Sequence, residues 1–212
     1  MHIPDGLTPP SVCIAGYAIT GGMTWYALRE IKKDVNPQAN IPKASLLTAA
    51  FFVSSLIHIP IPPTSIHLIL NGMMGAILGY YALLAIPIGL FFQAVMFNHG
   101  GISTLGINTI IMGFPAIAAY HLFRLREKVT HKKELWTKIL AFASGACALM
   151  LSAILFAAIA ISTIAPDLDA ATERNAIYVS LITYSIQAIL EGIVTVMLIS
   201  FLEKVKPELL NI

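Results

Sequence analysis

From Ala44 to Phe123 the chain runs for 80 residues without an Asp, Glu, Lys or Arg. A water-soluble domain is not built that way, since about a quarter of its residues carry charge. Here the charged share is 11%, the hydrophobic share 57% and the mean hydropathy +0.79. The chain is therefore read as an all-α integral membrane protein. The placement of its charges says more than the net +2.

Seven apolar stretches follow one another. The first, Ser11–Leu28, is uncharged and 18 residues long, just enough for a helix to cross the hydrocarbon. A polar loop, Arg29–Lys43, follows, with Asn36-Pro37 as its turn signal. The second stretch is Ala44–Ile57. Pro60-Ile61-Pro62-Pro63 cannot continue a helix, so the third span is expected over Ile66–Leu84. Thr64 or Ser65 would cap it, placing His67 in its first turn. Gly72, Gly75 and Gly79 favour close packing of that span, more readily inside the chain than against a partner, and the same holds for Ala18 and Gly22. The fourth span, Leu83–Phe97, contains Pro87 and closes with the turn Asn98-His99-Gly100-Gly101. The fifth is Leu105–Phe123; the sixth and seventh, Ile139–Ala165 and Ile177–Leu202, are long enough to tilt. The simplest account is one domain, 1–212. It comprises an N-terminal segment 1–10, a compact bundle of seven transmembrane helices over 11–202 and a tail 203–212. No internal repeat is evident, which argues against an inverted-repeat carrier. Cys13 and Cys147 lie in apolar segments and read as packing residues, not as a disulfide. The first ten residues hold neither a Lys or Arg nor an apolar run, so no cleavable signal peptide is expected.

Basic residues favour the cytoplasmic side. With seven spans and an outside N-terminus, the cytoplasmic segments are Arg29–Lys43, Ala82–Ile86, Arg124–Lys138 and the C-terminal tail. They hold twelve of the thirteen Lys and Arg residues, Arg174 being the exception. The same topology sets His2, His58, His67 and His99 on the outer side, and His121 and His131 on the other.

That arrangement gives weight to Met1-His2-Ile3-Pro4-Asp5-Gly6. A terminal amine, the second amide nitrogen and Nδ1 of a histidine at position 2 form two fused chelate rings. A fourth nitrogen completes a planar N4 set, the geometry preferred by Ni(II) and Cu(II). The chelate needs Met1 to stay in place, and a bulky second residue such as His2 disfavours its removal. His67 is the natural fourth donor, because an ionisable group in an otherwise uncharged span is a functional candidate. Its other ring nitrogen would be held by an oxygen or amide, with Ser65 and Asn71 both in reach by sequence. His58, at the end of a span, is a weaker ligand; His99, in the glycine turn, suits a supporting or access role. Asp5 reads as a turn residue folding the N-terminus back. Glu191, the only acid inside a predicted span, is expected to pair with Gln93, Asn108 or a backbone group.

An enzyme is not indicated. No His is followed by Glu as a metalloprotease helix requires, and Ser103 lacks the surroundings of a nucleophile. No GxxxxGK(S/T) phosphate loop occurs, so energy for transport would come from other subunits. A self-sufficient channel or ion-coupled carrier would want more midplane charge than Glu191 supplies. No nucleic-acid partner is expected.

The N-terminal hexapeptide resembles the signature of the CbiM/NikM family, the substrate-specific components of energy-coupling-factor (ECF) importers for cobalt and nickel. Two further stretches agree: Ser65-Ile66-His67-Leu68, and Gln93-Ala94 with Phe97-Asn98-His99-Gly100-Gly101-Ile102-Ser103-Thr104-Leu105-Gly106-Ile107-Asn108. The resemblance covers essentially the whole chain. It implies a seven-helix bundle with the N-terminal segment inserted into a central pocket, and an N4 site from Met1, His2 and His67. It implies a prokaryotic cytoplasmic membrane, a coupling transmembrane protein and ATP-binding cassette subunits. The chain departs from the family in having Asn98 where Gly is common, and in lacking the extra spans of fused nickel versions, for which a small separate membrane subunit would substitute. No resident cofactor is expected. The transported ion is Ni(II) or Co(II), with the planar nitrogen set leaning to nickel; a cobalt component supplying corrinoid synthesis is the alternative.

Overall fold

The computed structural model describes residues 1–57, 59–61, 64–166 and 168–210, with the backbone alone at 59–61 and 64–66. Seven α-helices lie among the described residues: α1 Pro10–Ile31, α2 Ile41–Ser54, α3 Asn71–Leu78, α4 Ala82–Phe97, α5 Leu105–Arg124, α6 Lys133–Ser162 and α7 Ala170–Val205. Short 3-10 turns precede α2, separate α3 from α4 and follow α5 and α7. Four helical runs are long and apolar enough to cross a membrane: 71–97, 105–128, 133–162 and 170–205. Cys13 and Cys147 are both free.

The last helix, α7, is inside-out relative to one in a soluble protein. Along α7, Ile182, Ile186, Ile189, Ile193, Met197 and Phe201 are exposed at helical spacing. Thr183, Gln187, Glu191 and Thr195 are buried on the opposite face. Water would drive that apolar stripe inward; a hydrocarbon surround does not. The polar stripe then serves contacts within the bundle. α6 and α7, of 30 and 36 residues, are about 45 and 54 Å long, more than the hydrocarbon thickness.

The third predicted span, Ile66–Leu84, is not a helix throughout. Two three-residue strands, β1 Ile59–Ile61 and β2 Thr64–Ile66, pair antiparallel, with Ile59 opposite Ile66. Residues 67–70 are irregular, and Leu70 takes the left-handed conformation with φ +59° immediately before α3. Neither Thr64 nor Ser65 caps α3, and His67 lies four residues ahead of it. The physical reason is that residues 67–70 bond to other helices instead of to a ladder of their own, and that Leu70 is left-handed, which a continuing helix does not admit. Gly79, with φ +56°, interrupts the helix again before α4. All eight residues of α3 are buried, as broken helix inside a membrane protein must be to keep its free backbone groups away from lipid.

Glycines permit that burial. A Cβ on Gly72 would lie 2.4 Å from the Ser144 carbonyl of α6, and one on Gly75 1.9 Å from the Ala116 carbonyl of α5. The stretch from Gly72 to Gly75 is thus the place where α3 wedges between two helices. Ala18 and Gly22, expected to pack internally, instead face outward on α1, where a Cβ on Gly22 meets nothing within 4 Å. Gly75→Ala is expected to destabilise the purified chain by about 2–3 kcal/mol, read as a lower Tm in detergent. Gly22→Ala is expected to leave Tm unchanged or raise it slightly.

Candidate metal centre

The N-terminal segment is strapped onto the start of α5. The Ile3 amide donates to Asn108 Oδ1 at 2.9 Å, while the Ile3 carbonyl accepts from Asn108 Nδ2 at 3.0 Å and Thr104 Oγ1 at 2.6 Å. Gly6 then turns the chain with φ +87°. The Asp5 carboxylate accepts the Ile102 amide at 3.1 Å, the Ser103 amide at 2.9 Å and the Ser103 hydroxyl at 2.5 Å. These groups precede the N-terminus of α5, where a negative charge is favoured. The Ser103 hydroxyl, with the backbone amides, holds the Asp5 carboxyl below its usual range. A Cβ at position 101 would lie 2.1 Å from Asp5 Oδ1, which explains Gly101. Asp5 therefore ties two loops together, beyond the turn role read from Pro4-Asp5-Gly6.

The strap delivers His2 to His67 and His99. Potential ligand atoms of these three residues all lie within 4.8 Å of one another. The ring centroids are 5.7 Å apart for His2–His67, 4.1 Å for His2–His99 and 5.2 Å for His67–His99. His2 Nε2 lies 3.1 Å from Gln93 Oε1. A carbonyl oxygen only accepts, so Nε2 carries the proton and Nδ1 keeps its lone pair. Nδ1 is buried and has no hydrogen-bond partner among the described residues. Burial, followed by the neighbouring terminal charge, His99 and His67, pushes the His2 pKa well below its usual value. Burial likewise lowers the Met1 amine to about 5. Burial thus disfavours the charged form of both groups.

The remaining predicted residues separate. Asn71 does not support His67: its Nδ2 donates to the Met112 carbonyl at 3.1 Å and Ser152 Oγ at 2.9 Å, and its Oδ1 accepts the Gly72 amide at 3.0 Å. His58 and the Ser65 side chain lie outside the described residues. His99 joins the cluster because Asn98 ends α4 with φ +51° and Gly100 turns the chain with φ +87°. Glu191 pairs with backbone, accepting the Ile69 and Leu70 amides, and not with Gln93 or Asn108. Gln187, one turn earlier, donates to the His67 carbonyl. Gln93, Asn108 and Gln187 were the residues sequence reasoning left without their roles. The signal available was a polar side chain inside an apolar helix. His121 packs beside Tyr120 and Tyr80 towards the far end of α5. A cavity of about 180 Å³ adjoins the cluster, bounded by His2, Ile3 and Pro4 on one side and by Phe156, Ala160 and Glu173 on the other.

Taken together, these features define a polytopic helical protein whose N-terminus is buried beside a cluster of three imidazoles. The chain belongs to the CbiM family, the cobalt uptake substrate-specific transmembrane region, whose model it matches over residues 2–209. A Haemophilus influenzae protein named for metal transport is 31% identical over 214 residues, covering 100% of this chain and 97% of that one. The fused nickel transport protein NikMN of Rhodobacter capsulatus is 35% identical over 123 residues, covering 56% of this chain and 35% of the relative. A solved transition metal transporter superposes with a TM-score of 0.74 at 25% identity, over 97% of this chain and 93% of that one. The chain is thus a membrane component of a transport family.

The buried amine makes the strap pH-sensitive. Its pKa is lower docked than free, about 5 against 8.0, so the undocked end binds more protons between those values. Docking is strongest above pH 8 and weakens as pH falls towards 5. A spin label at Leu7→Cys is expected to gain a mobile component over that range, and Asn108→Ala is expected to give the mobile spectrum already at pH 8.

Proposed function

We propose that this chain captures a divalent transition metal for an ATP-driven importer of the ECF type, preferring Ni(II) to Co(II). In this reading the metal, as transported substrate, takes four nitrogens: the Met1 amine, the His2 amide, His2 Nδ1 and a His67 ring nitrogen. The observation that carries it is the state of His2. Gln93 occupies Nε2, and the buried nitrogen without a partner among the described residues, Nδ1, is the one that closes a chelate ring with the residue's own amide. The ionised amide and the planar set suit nickel. The chain would cross the prokaryotic cytoplasmic membrane seven times, with the strap outside and the tail in the cytoplasm. A coupling transmembrane protein and ATP-binding cassette subunits would supply the energy, and a small membrane subunit would stand where the longer fused nickel relative continues.

Cobalt is the second reading. His99 places a third imidazole against the other two, and Co(II) accepts donors beyond a planar four more readily than nickel does; the family's own description points the same way.

The test is Ni(II) and Co(II) binding to the full chain, beside a form with one alanine inserted between Met1 and His2. The insertion keeps every side chain and breaks the fused chelate. Nickel affinity is expected to fall at least 100-fold, and wild-type affinity to weaken as pH drops, because binding releases a proton from the amide. Unchanged affinity in the inserted form would sink the N-terminal site. Uptake into cells expressing this chain alone is expected to be negligible; substantial uptake there would favour a self-sufficient carrier.

A further inference from the structure

The segment carrying His67 is held by a helix that contributes no ligand to the proposed site. Its backbone is non-helical and buried, so each polar group on it needs a partner from the protein. α7 supplies most of them. Gln187 Nε2 donates to the His67 carbonyl, and the Glu191 carboxylate accepts the Ile69 amide and the Leu70 amide, the latter at 3.1 and 3.0 Å from its two oxygens. Ser54 Oγ of α2 donates to the Leu68 carbonyl at 3.3 Å, and the Leu70 carbonyl opens the α3 ladder by accepting the Met74 amide at 2.8 Å. Gln187 and Glu191 are each 1% exposed.

Two features show this to be a constrained arrangement. Leu70 sits at φ +59° with no side-chain cap on α3. A leucine persists in the left-handed region only where its surroundings over-determine the backbone. Here the Glu191 carboxylate binds the amides of Ile69 and Leu70, the two residues leading into α3, and so holds that turn from another helix. α6 packs closely on the backbone of Glu191: a Cβ at Gly145 would lie 2.7 Å from the Glu191 carbonyl.

We infer that Gln187 and Glu191 are positioning residues of the metal centre, fixing where the His67 imidazole stands relative to His2. The inference rests on the reading of His67 as a ligand. It assigns part of the metal affinity to two side chains one helical turn apart on α7 that touch the ligand's backbone and not the ion. Removing such outer partners typically costs 10–100-fold in metal affinity.

The experiment measures Ni(II) affinity and the visible spectrum of the bound ion for the full chain in lipid nanodiscs. The variants are Glu191→Gln, Gln187→Leu and His67→Ala, and each of the first two combined with the third. Glu191→Gln and Gln187→Leu are each expected to weaken binding about tenfold or more and to shift the nickel spectrum. In the His67→Ala background, where the N-terminal nitrogens still bind weakly, each is expected to cost less than about twofold, the non-additivity of residues that act through a shared partner. Equal losses in both backgrounds would reduce the pair to general scaffold and overturn the inference, as would unchanged affinity in both single variants. Should Glu191→Gln fail to fold, the Gln187→Leu arm decides alone. Wild-type affinity in His67→Ala overturns the ligand assignment itself, and the positioning role with it; that outcome is read from one variant, before any comparison of backgrounds.

Discussion

The structure depends on one constraint: backbone that leaves helical geometry inside an apolar bundle must find hydrogen-bond partners in the protein, because lipid offers none. Two stretches here leave it. The N-terminal strap is satisfied by Asn108 and Thr104 at Ile3, and the segment before α3 by Gln187, Glu191 and Ser54. Each buried polar side chain in that account answers a specific stranded amide or carbonyl. An unsatisfied group of this kind costs several kcal/mol in hydrocarbon, so these side chains determine which irregular path the chain can take. The histidines are carried on those paths. Their convergence follows from backbone hydrogen bonding, with no need for a metal to draw them together.

Much of this was legible in the residues. The 80-residue uncharged stretch gave the membrane class, and the basic loops set His2, His58, His67 and His99 on one side; the choice of His67 as partner to His2 came from its place in an uncharged span. Two things were hidden. The helix expected over Ile66–Leu84 fails because residues 67–70 are held open by groups 120 residues away on α7, a tertiary override that apolar periodicity does not register. His99 looked peripheral because a glycine turn carries no orientation in its sequence. Its place beside His2 comes from two successive left-handed residues flanking it, Asn98 and Gly100. Gln93 and Asn108 were noticed as polar residues in apolar helices, yet assigned to Glu191. Nothing in their spacing revealed that the N-terminus folds back to meet them.

The charge state of the centre is set by burial. Burial disfavours the charged forms of the amine and the His2 imidazole; Glu191 is engaged with backbone amides and not with the imidazoles, and Glu173 lines the cavity that adjoins His2. Under the proposed reading the donors are nitrogens, which late first-row metals favour and hard, oxygen-seeking cations do not.

The two halves of the centre are held differently, and that difference bears on how it can open. His67 stands on a segment tied to α7 by side chains that are 1% exposed. Hydrogen bonds so placed cannot exchange with water, and breaking one leaves a desolvated group behind. The strap is anchored at its far end by Asp5, whose bonds to Ile102 and Ser103 are exposed. Those bonds can be traded for water at little net cost. The strap also carries a neutral amine that protonates when freed below pH 8. The strap is thus held by buried bonds at Ile3, from Asn108 and Thr104, and by exchangeable ones at Asp5, whereas the bonds from α7 to the His67 segment are all buried.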